Sequence, residues 1–382
     1  MTRRLKILHL YKAYAPILGG IEGNVEMLAR GQAARGHAVS VLVTVDGPTT
    51  ETVEHGVRVV RCRRVLELRS NPFSLSWFGR LRAERPDVTH VHCPYPFGTL
   101  TQGLLGRSRA TVATYHCDIV KQRILGAFYR PLQRRFLSST DRILVTNPRI
   151  AETSPVLSGL PTEGRVVVPL GIDLTGRAGR AAGPEKDGGA AEDGEPFALF
   201  VGRHRHYKGM PDLLRAMAHL PHRLVLVGDG PLRPSMEVLA AELGLGERAR
   251  FIGSVDEDEL RRLYRRAGVL VLPSTNRSEA FGLVLAEAMA AGTPVISTDV
   301  GTGTSWVNRD GETGFVVPPG APERLAEAIG RLLGDEELRQ AMGHAAQGRA
   351  EALFDAEAMV DRTIEVYRDA LNLEDLTSED LA

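Results

Sequence analysis

Two successive sets of short, apolar, β-branched runs alternate with longer stretches of helical spacing, and nothing else in the chain restricts its fold as strongly. Leu5–Tyr11, Ala38–Val45, Val57–Arg63, Val88–Cys93, Thr111–His116, Ile143–Thr146 and Val166–Val168 are predicted as strands in the first set. Ala198–Gly202, Leu224–Gly228, Val269–Leu272 and Pro294–Thr298 are predicted in the second. Strands that are apolar almost throughout are buried on both faces, so helices must cover each sheet from both sides, which is the doubly wound parallel α/β arrangement. Thr175–Pro196 is rich in Gly, Ala and charge and has no large apolar residue, so it cannot pack a core. The expected organisation is one α/β domain over 1–174, a linker or mobile loop over 175–196, and a second α/β domain over 197–354. Residues 355–382 form a carboxy-terminal helix (Asp355–Leu371), expected to return to the first domain, and an acidic tail.

The length of 382 residues agrees with two cores rather than one. No window approaches the ~18 consecutive apolar residues of a membrane span, and the first residues read as a strand rather than a leader peptide. Three cysteines, Cys62, Cys93 and Cys117, lack metal-ligand spacing and point to a reducing, cytoplasmic setting. Lys+Arg and Asp+Glu balance at 47 each, yet residues 1–180 carry 26 basic against 13 acidic residues and residues 181–382 carry 21 against 34. The halves are therefore expected to face different partners.

In doubly wound sheets, ligands bind beyond the carboxyl ends of the strands. There, Gly19-Gly20 lies between the first strand and a helix (Ile21–Arg30), either as a tight turn or as an approach for an anion. Arg203 and Lys208 follow the strand Ala198–Gly202, where a bidentate fork and a point charge suit a diphosphate. Phe281–Ala291 is predicted as a helix, with Glu287 on an otherwise apolar stretch. If Glu279 lies on the lead-in, both carboxylates can point into a crevice at the helix start, where the amides of Gly282, Leu283 and Val284 are free. Glu279 is otherwise a helix-dipole partner and Glu287 a paired buried carboxylate. His116 and Asp118, two apart at a strand end, are candidates to orient or protonate a substrate group. No spacing suggests a metal.

Together these positions resemble the family-4 retaining glycosyltransferases of the GT-B fold, in which two Rossmann-like domains face each other across a cleft. The matching segments are GGIE (Gly19–Glu22), YHCDIV (Tyr115–Val120), PLGID (Pro169–Asp173), VGRHRHYKG (Val201–Gly209), VGDGP (Val227–Pro231), FIGSV (Phe251–Val255) and the Glu-x7-Glu pair Glu279–Glu287. The opening segment and YHCDIVKQ look most like bacterial cell-surface polysaccharide enzymes such as O-antigen mannosyltransferases. The resemblance implies a nucleoside-diphosphate sugar (GDP-mannose or a UDP-sugar) as donor and a glycan or glycolipid hydroxyl as acceptor, with retention of configuration. It implies no metal and no cofactor beyond this co-substrate. Arg203 and Lys208 would hold the diphosphate, with Gly19 and Gly20 closing over it. Gly282, Leu283 and Val284 would donate amides to phosphate, and Glu287 would accept from the ribose. Glu279 would lie beside the donor sugar, Gly228 in the glycine-rich turn, and Ile252, Gly253, Ser254 and Val255 under the base. His116 would stand near the reacting sugar. Gly23-Asn24 and Cys117 depart from the common pattern on the acceptor side.

A soluble natural-product acceptor, a GT-B-fold sugar-nucleotide epimerase and an inactive nucleotide-sugar-binding paralogue are alternatives. Asp118–Leu137 interleaves Lys121, Arg123, Arg130, Arg134 and Arg135 with apolar residues. It reads either as a peripheral contact with an anionic membrane or as an amphipathic core helix, and Pro131 is expected to interrupt any single long helix there. No nucleic-acid motif accompanies the charge.

Overall fold

The computed structural model describes residues 3–16, 19–68, 71–119, 123–174 and 194–373, with backbone alone for 123–128. All but the last three residues of the expected linker lie outside these, as do the side chains of Lys121 and Arg123. The chain divides into two compact units, Met1–Gly171 with Ala356–Ala382, and Ile172–Asp355.

In the first unit the strands are β1 Lys6–Leu10, β2 Ala38–Val45, β3 Thr50–Glu54, β4 Val57–Arg63, β5 Leu66–Leu68, β6 Asn71–Phe73, β7 Val88–Cys93, β8 Ala110–Tyr115, β9 Arg142–Val145 and β10 Arg165–Val167. The main sheet runs β10-β9-β8-β7-β1-β2-β4-β3, parallel except for β3 against β4. Strands β5 and β6 pair separately as a short antiparallel ribbon. The chain order reverses between β1 and β7, so the loops after those strands diverge and open a crevice. The helix Ala356–Ala370 belongs to this unit and buries Met359, Val360, Ile364, Val366 and Tyr367 in its core. It lies so close to the helix Gly20–Ala34 that a Cβ on Gly31 would come within 2.6 Å of Val360 Cγ2. A mid-helix glycine, which costs about 1 kcal/mol against alanine, is here the condition for that approach.

In the second unit the strands are β11 Ala198–Val201, β12 Leu224–Val227, β13 Ala249–Gly253, β14 Val269–Leu272, β15 Val295–Thr298 and β16 Gly314–Val317. They form one parallel sheet in the order β13-β12-β11-β14-β15-β16, whose reversal falls between β11 and β14. Strands β11, β12 and β14 are buried at every position, which is why they are apolar without alternation.

Two expectations are corrected. Gly202 and Gly228 do not end strands: at φ 149° and 111° they leave the ladder one residue early and turn the chain into the loops that follow. Arg123–Ser138 is one helix with Pro131 inside it, so the expected interruption does not occur. Tyr129, Gln133, Phe136 and Leu137, spaced at one helical face, are buried on either side of the proline and hold the helix together across the missing amide.

Candidate functional site

The loops leaving β11 and β14 form the main candidate site of the second unit, at the point where its strand order reverses. After β11 come Gly202, Arg203, His204 and a single 3-10 turn, His206–Lys208. Gly209 closes that turn at φ 70°, and a Cβ there would lie 1.8 Å from the carbonyl oxygen of Pro273, just past β14. The amide of Thr275 also donates to the Tyr207 carbonyl at 2.8 Å. Only a glycine lets the two loops touch, and their contact brings Lys208 against Glu279.

Lys208 Nζ donates to Glu279 Oε2 at 2.6 Å, and the Ser274 hydroxyl donates to the same oxygen at 3.1 Å. Lys208 and Glu279 are each only 8% exposed. Burial pulls the Lys208 ammonium down, but the charge of Glu279, with smaller help from Tyr207 and Glu287, outweighs it and leaves its pKa above the usual lysine value. The pair is thus a buried ion pair held at low dielectric. The loop after β15 holds the Glu279 backbone in place. Thr302 Oγ1 donates to Glu279 O at 2.5 Å, Gly303 N to Ala280 O at 2.9 Å, and Arg277 to Gly301 O at 2.6 Å.

Glu279 lies on the lead-in and not on the helix. The helix is shorter than expected, Leu283–Ala290, because Gly282 adopts the left-handed conformation (φ 83°) and begins it abruptly. Leu285 N bonds back to Gly282 O at 2.8 Å, so the amides of Gly282, Leu283 and Val284 precede the first helical bond and point out of the helix start. Glu287, one turn further on, accepts from the Tyr264 hydroxyl at 2.6 Å through Oε2. Burial pushes its carboxyl pKa up against the opposing effect of that hydrogen bond. Arg203 is exposed at the β11 exit. Gly228 serves backbone packing, since a Cβ there would lie 2.3 Å from Gly202 O. Ile252 and Gly253 are the last residues of β13 rather than loop, because Gly253 pairs with Val227 of β12; Ser254 and Val255 follow in the loop.

In the first unit, Gly19 and Gly20 are exposed at the start of the helix Gly20–Ala34. His116 follows β8 and is 2% exposed. His116 and Asp118 have separate partners: Asp118 Oδ1 accepts from Tyr115 and Ser154 at 2.7 and 2.6 Å, whereas His116 Nε2 meets His92 Nδ1 at 3.1 Å. His9, His90 and His92, unnoticed in the sequence, are all fully buried beside it. The signal was present as two histidines at period 2 in the apolar strand Val88–Cys93, one face of which must be polar inside. His204, likewise unnoticed, is fully buried with both ring nitrogens unpaired, against Phe200 and Phe251. Arg134 is withdrawn from any membrane-facing role, since its guanidinium donates to the carbonyls of Pro155, Val156 and Ser158; Arg130 and Arg135 are exposed. No helix among the described residues is long and apolar enough to cross a membrane.

Residues 18–175 match the family described as Glycosyltransferase Family 4, and residues 184–349 match Glycosyl transferases group 1. The chain is 39% identical to D-rhamnosyltransferase WbpZ of Pseudomonas aeruginosa over 92% of its own length and 93% of that protein. It is 35% identical to the O-antigen chain mannosyltransferase C of Escherichia coli, over 95% and 98% respectively. Among solved structures it resembles sucrose-phosphate synthase from Thermosynechococcus elongatus, with a TM-score of 0.76, 25% identity and coverage of 97% of this chain and 100% of that one. With two doubly wound units, a charged pair where the strand order of the second one reverses, and these relatives along nearly its whole length, the chain belongs to the GT-B-fold glycosyltransferases of bacterial polysaccharide biosynthesis.

Proposed function

We propose that the protein transfers a hexosyl group from a nucleoside-diphosphate sugar to a hydroxyl of a growing cell-surface glycan or its lipid carrier, retaining the anomeric configuration and using no metal. The observation that carries this reading is the buried Lys208–Glu279 pair beside the free amides of Gly282, Leu283 and Val284. Cleavage of the C1–O bond leaves a diphosphate that gains negative charge and a sugar that gains positive charge. In this reading Lys208, Arg203 and the three amides meet the first, and Glu279 steadies the second and orients the sugar. In this reading Glu287 also accepts from the nucleotide ribose, and His116 contributes a hydrogen bond to the sugar. The acceptor oxygen forms the new C1–O bond on the face the diphosphate leaves, and its proton passes to the departing phosphate oxygen. The relatives, named for mannosyl and D-rhamnosyl transfer, support a manno-configured or 6-deoxy sugar on the donor.

The test is a screen of GDP-, UDP-, ADP- and dTDP-sugars with a glycolipid acceptor, followed by NMR assignment of the product anomer. Lys208→Ala and Glu279→Gln are each expected to lower kcat by about 10²–10³. Near wild-type transfer by both variants refutes the roles given to them. An inverted anomer refutes retention, and activity abolished by EDTA and restored by a divalent cation refutes metal independence.

A further inference from the structure

His116 does not stand alone. Its Nε2 meets His92 Nδ1 at 3.1 Å, His92 Nε2 meets His9 Nδ1 at 3.0 Å, and His9 Nε2 meets Gln32 Oε1 at 2.8 Å. The other end of the Gln32 amide donates to the Tyr367 hydroxyl at 3.2 Å, which meets His90 Nδ1 at 2.5 Å, and His90 Nε2 meets Thr114 Oγ1 at 2.6 Å. These groups are buried and belong to one unit. They come from β1, β7 and β8, the helix Gly20–Ala34 and the carboxy-terminal helix Ala356–Ala370.

The chain has a direction, and Gln32 sets it. An amide oxygen can only accept, so His9 must carry its proton on Nε2. Burial keeps all four rings neutral: the His9 pKa is lowered to about 4 despite its bond to Gln32, that of His116 is lowered to about 3, and those of His90 and His92 are held well below the usual histidine value by burial and by the neighbouring rings. A neutral ring carries one N–H, so His9 Nδ1 is an acceptor and His92 donates to it from Nε2. By the same step His92 Nδ1 is an acceptor and His116 donates from Nε2. His116 Nδ1 is then left unprotonated, and it is buried with no partner. A flipped Gln32 amide would reverse every proton and leave a buried, unpaired N–H on His116, a rarer and costlier orphan than an empty acceptor.

We propose that Gln32 and Tyr367 are positioning residues which, through His9 and His92, hold His116 in the Nε2–H tautomer so that its Nδ1 accepts a hydrogen bond from a hydroxyl of the bound sugar. The proposal rests on the place given to His116 above. The histidines also lie close enough to suggest a cation, with ring nitrogens of His9, His90 and His92 within 4.8 Å of one another. A metal there would have to break bonds already made: every ring nitrogen of those three is paired, and the His90 and His92 rings are stacked with centroids 4.3 Å apart.

The test is long-range ¹H–¹⁵N correlation of ¹⁵N-histidine-labelled full-length protein, assigned with single His→Asn variants. The expected pattern is a proton on Nε2 of His9, His90, His92 and His116. Gln32→Leu, and independently the near-isosteric Tyr367→Phe, should give His116 as a mixture of tautomers. Gln32→Glu, whose carboxylate still accepts from His9, should restore one. In the transfer assay Gln32→Leu should lower kcat about tenfold, with the donor KM within about twofold, and Gln32→Glu should recover it. A proton on His116 Nδ1 in the wild type, or an unchanged single tautomer in both variants, overturns the proposal. The expected spectra together with wild-type transfer by His116→Ala would support the chain and overturn the placing of His116 in the reaction.

Discussion

Replacing Lys208 by Met should destabilise the second unit more than the loss of one surface ion pair ever does. Lys208 and Glu279 are each 8% exposed and 2.6 Å apart. Methionine fills the lysine stem but leaves the Glu279 carboxylate buried with only the Ser274 hydroxyl to satisfy it, so the expected cost is about 3–5 kcal/mol. Glu279→Gln keeps an acceptor for both Ser274 and Lys208 and should cost about 1–2 kcal/mol. In the double variant neither charge is buried, so its cost should fall below that of Lys208→Met alone, giving a coupling larger than the Glu279→Gln cost of about 1–2 kcal/mol. Two tryptophans make the measurement possible, because Trp77 lies in the first unit and Trp306 in the second, against Phe281 and Phe354. Urea unfolding on a Trp77→Phe background then reports the second unit alone, and with a slope of about 2 kcal/mol per molar the Lys208→Met midpoint should drop by about 2 M. The pH dependence has a definite sign. A lysine whose folded pKa is raised stabilises fully below its unfolded value, near 10.5, and loses that contribution only as pH rises through the folded pKa. The coupling should therefore stay flat from about pH 6 to 9. A coupling under about 0.5 kcal/mol would mean that the pair is solvent-relaxed, and the argument from burial would fail.

Gly209→Ala should cost at least about 2–4 kcal/mol in the same assay and abolish transfer, since its Cβ meets the Pro273 carbonyl and its φ is left-handed. Gly31→Ala should destabilise the first unit by about 1–3 kcal/mol through its clash with Val360, read from Trp77 in a Trp306→Phe background. The first unit should also be acid-labile. His9, with a folded pKa of about 4 against 6.5, stays neutral while the unfolded chain binds a proton, so stability falls as pH drops from about 6.5 to 4, by about 3 kcal/mol for this ring alone. His9→Gln should flatten that slope, as measured by urea titrations at each pH. Tyr264→Phe removes the donor to Glu287 and should raise that carboxyl further, weakening nucleotide binding at neutral pH by about three- to tenfold in calorimetry.

The carboxyl ends of several strands could be read from the sequence because the strand runs stop where a charged residue or a proline follows. Val45, Arg63, Cys93 and Leu272 end strands as expected. What escaped was set by partners distant in the chain. Strand β3 is mostly polar and exposed along nearly its whole length at the sheet edge, and β13 interrupts its apolar run with Arg250 and ends in Gly253, so neither has the pattern of a buried strand. The Glu-x7-Glu spacing left the place of Glu279 open, because only the left-handed Gly282 decides that the helix starts after it. The histidine chain was hidden for a topological reason. His9 and His90 are 81 residues apart and become neighbours because β1 pairs with β7 in that register. Tyr367 joins them because the last helix folds back.

That return also alters what the charge asymmetry means. Counted by halves of the sequence, the first carries 26 basic and 13 acidic residues; counted by folded unit, the first carries 26 and 20, and the second 21 and 27. The acidic carboxy-terminal segment does part of this locally: Arg35 pairs with Glu357 and Asp361 at 2.9 and 2.5 Å, and Arg142 with Asp369 at 2.5 Å. Those arginines bind the last helix to its own unit and are not offered to a partner. Within 118–137, the stretch expected to meet an anionic surface, the described cations still exposed are two. Arg130 and Arg135 stand exposed on a helix whose Arg134 is spent on backbone carbonyls, with Leu132 exposed between them. Two such cations at ~1 kcal/mol each give weak, salt-sensitive adsorption rather than anchoring.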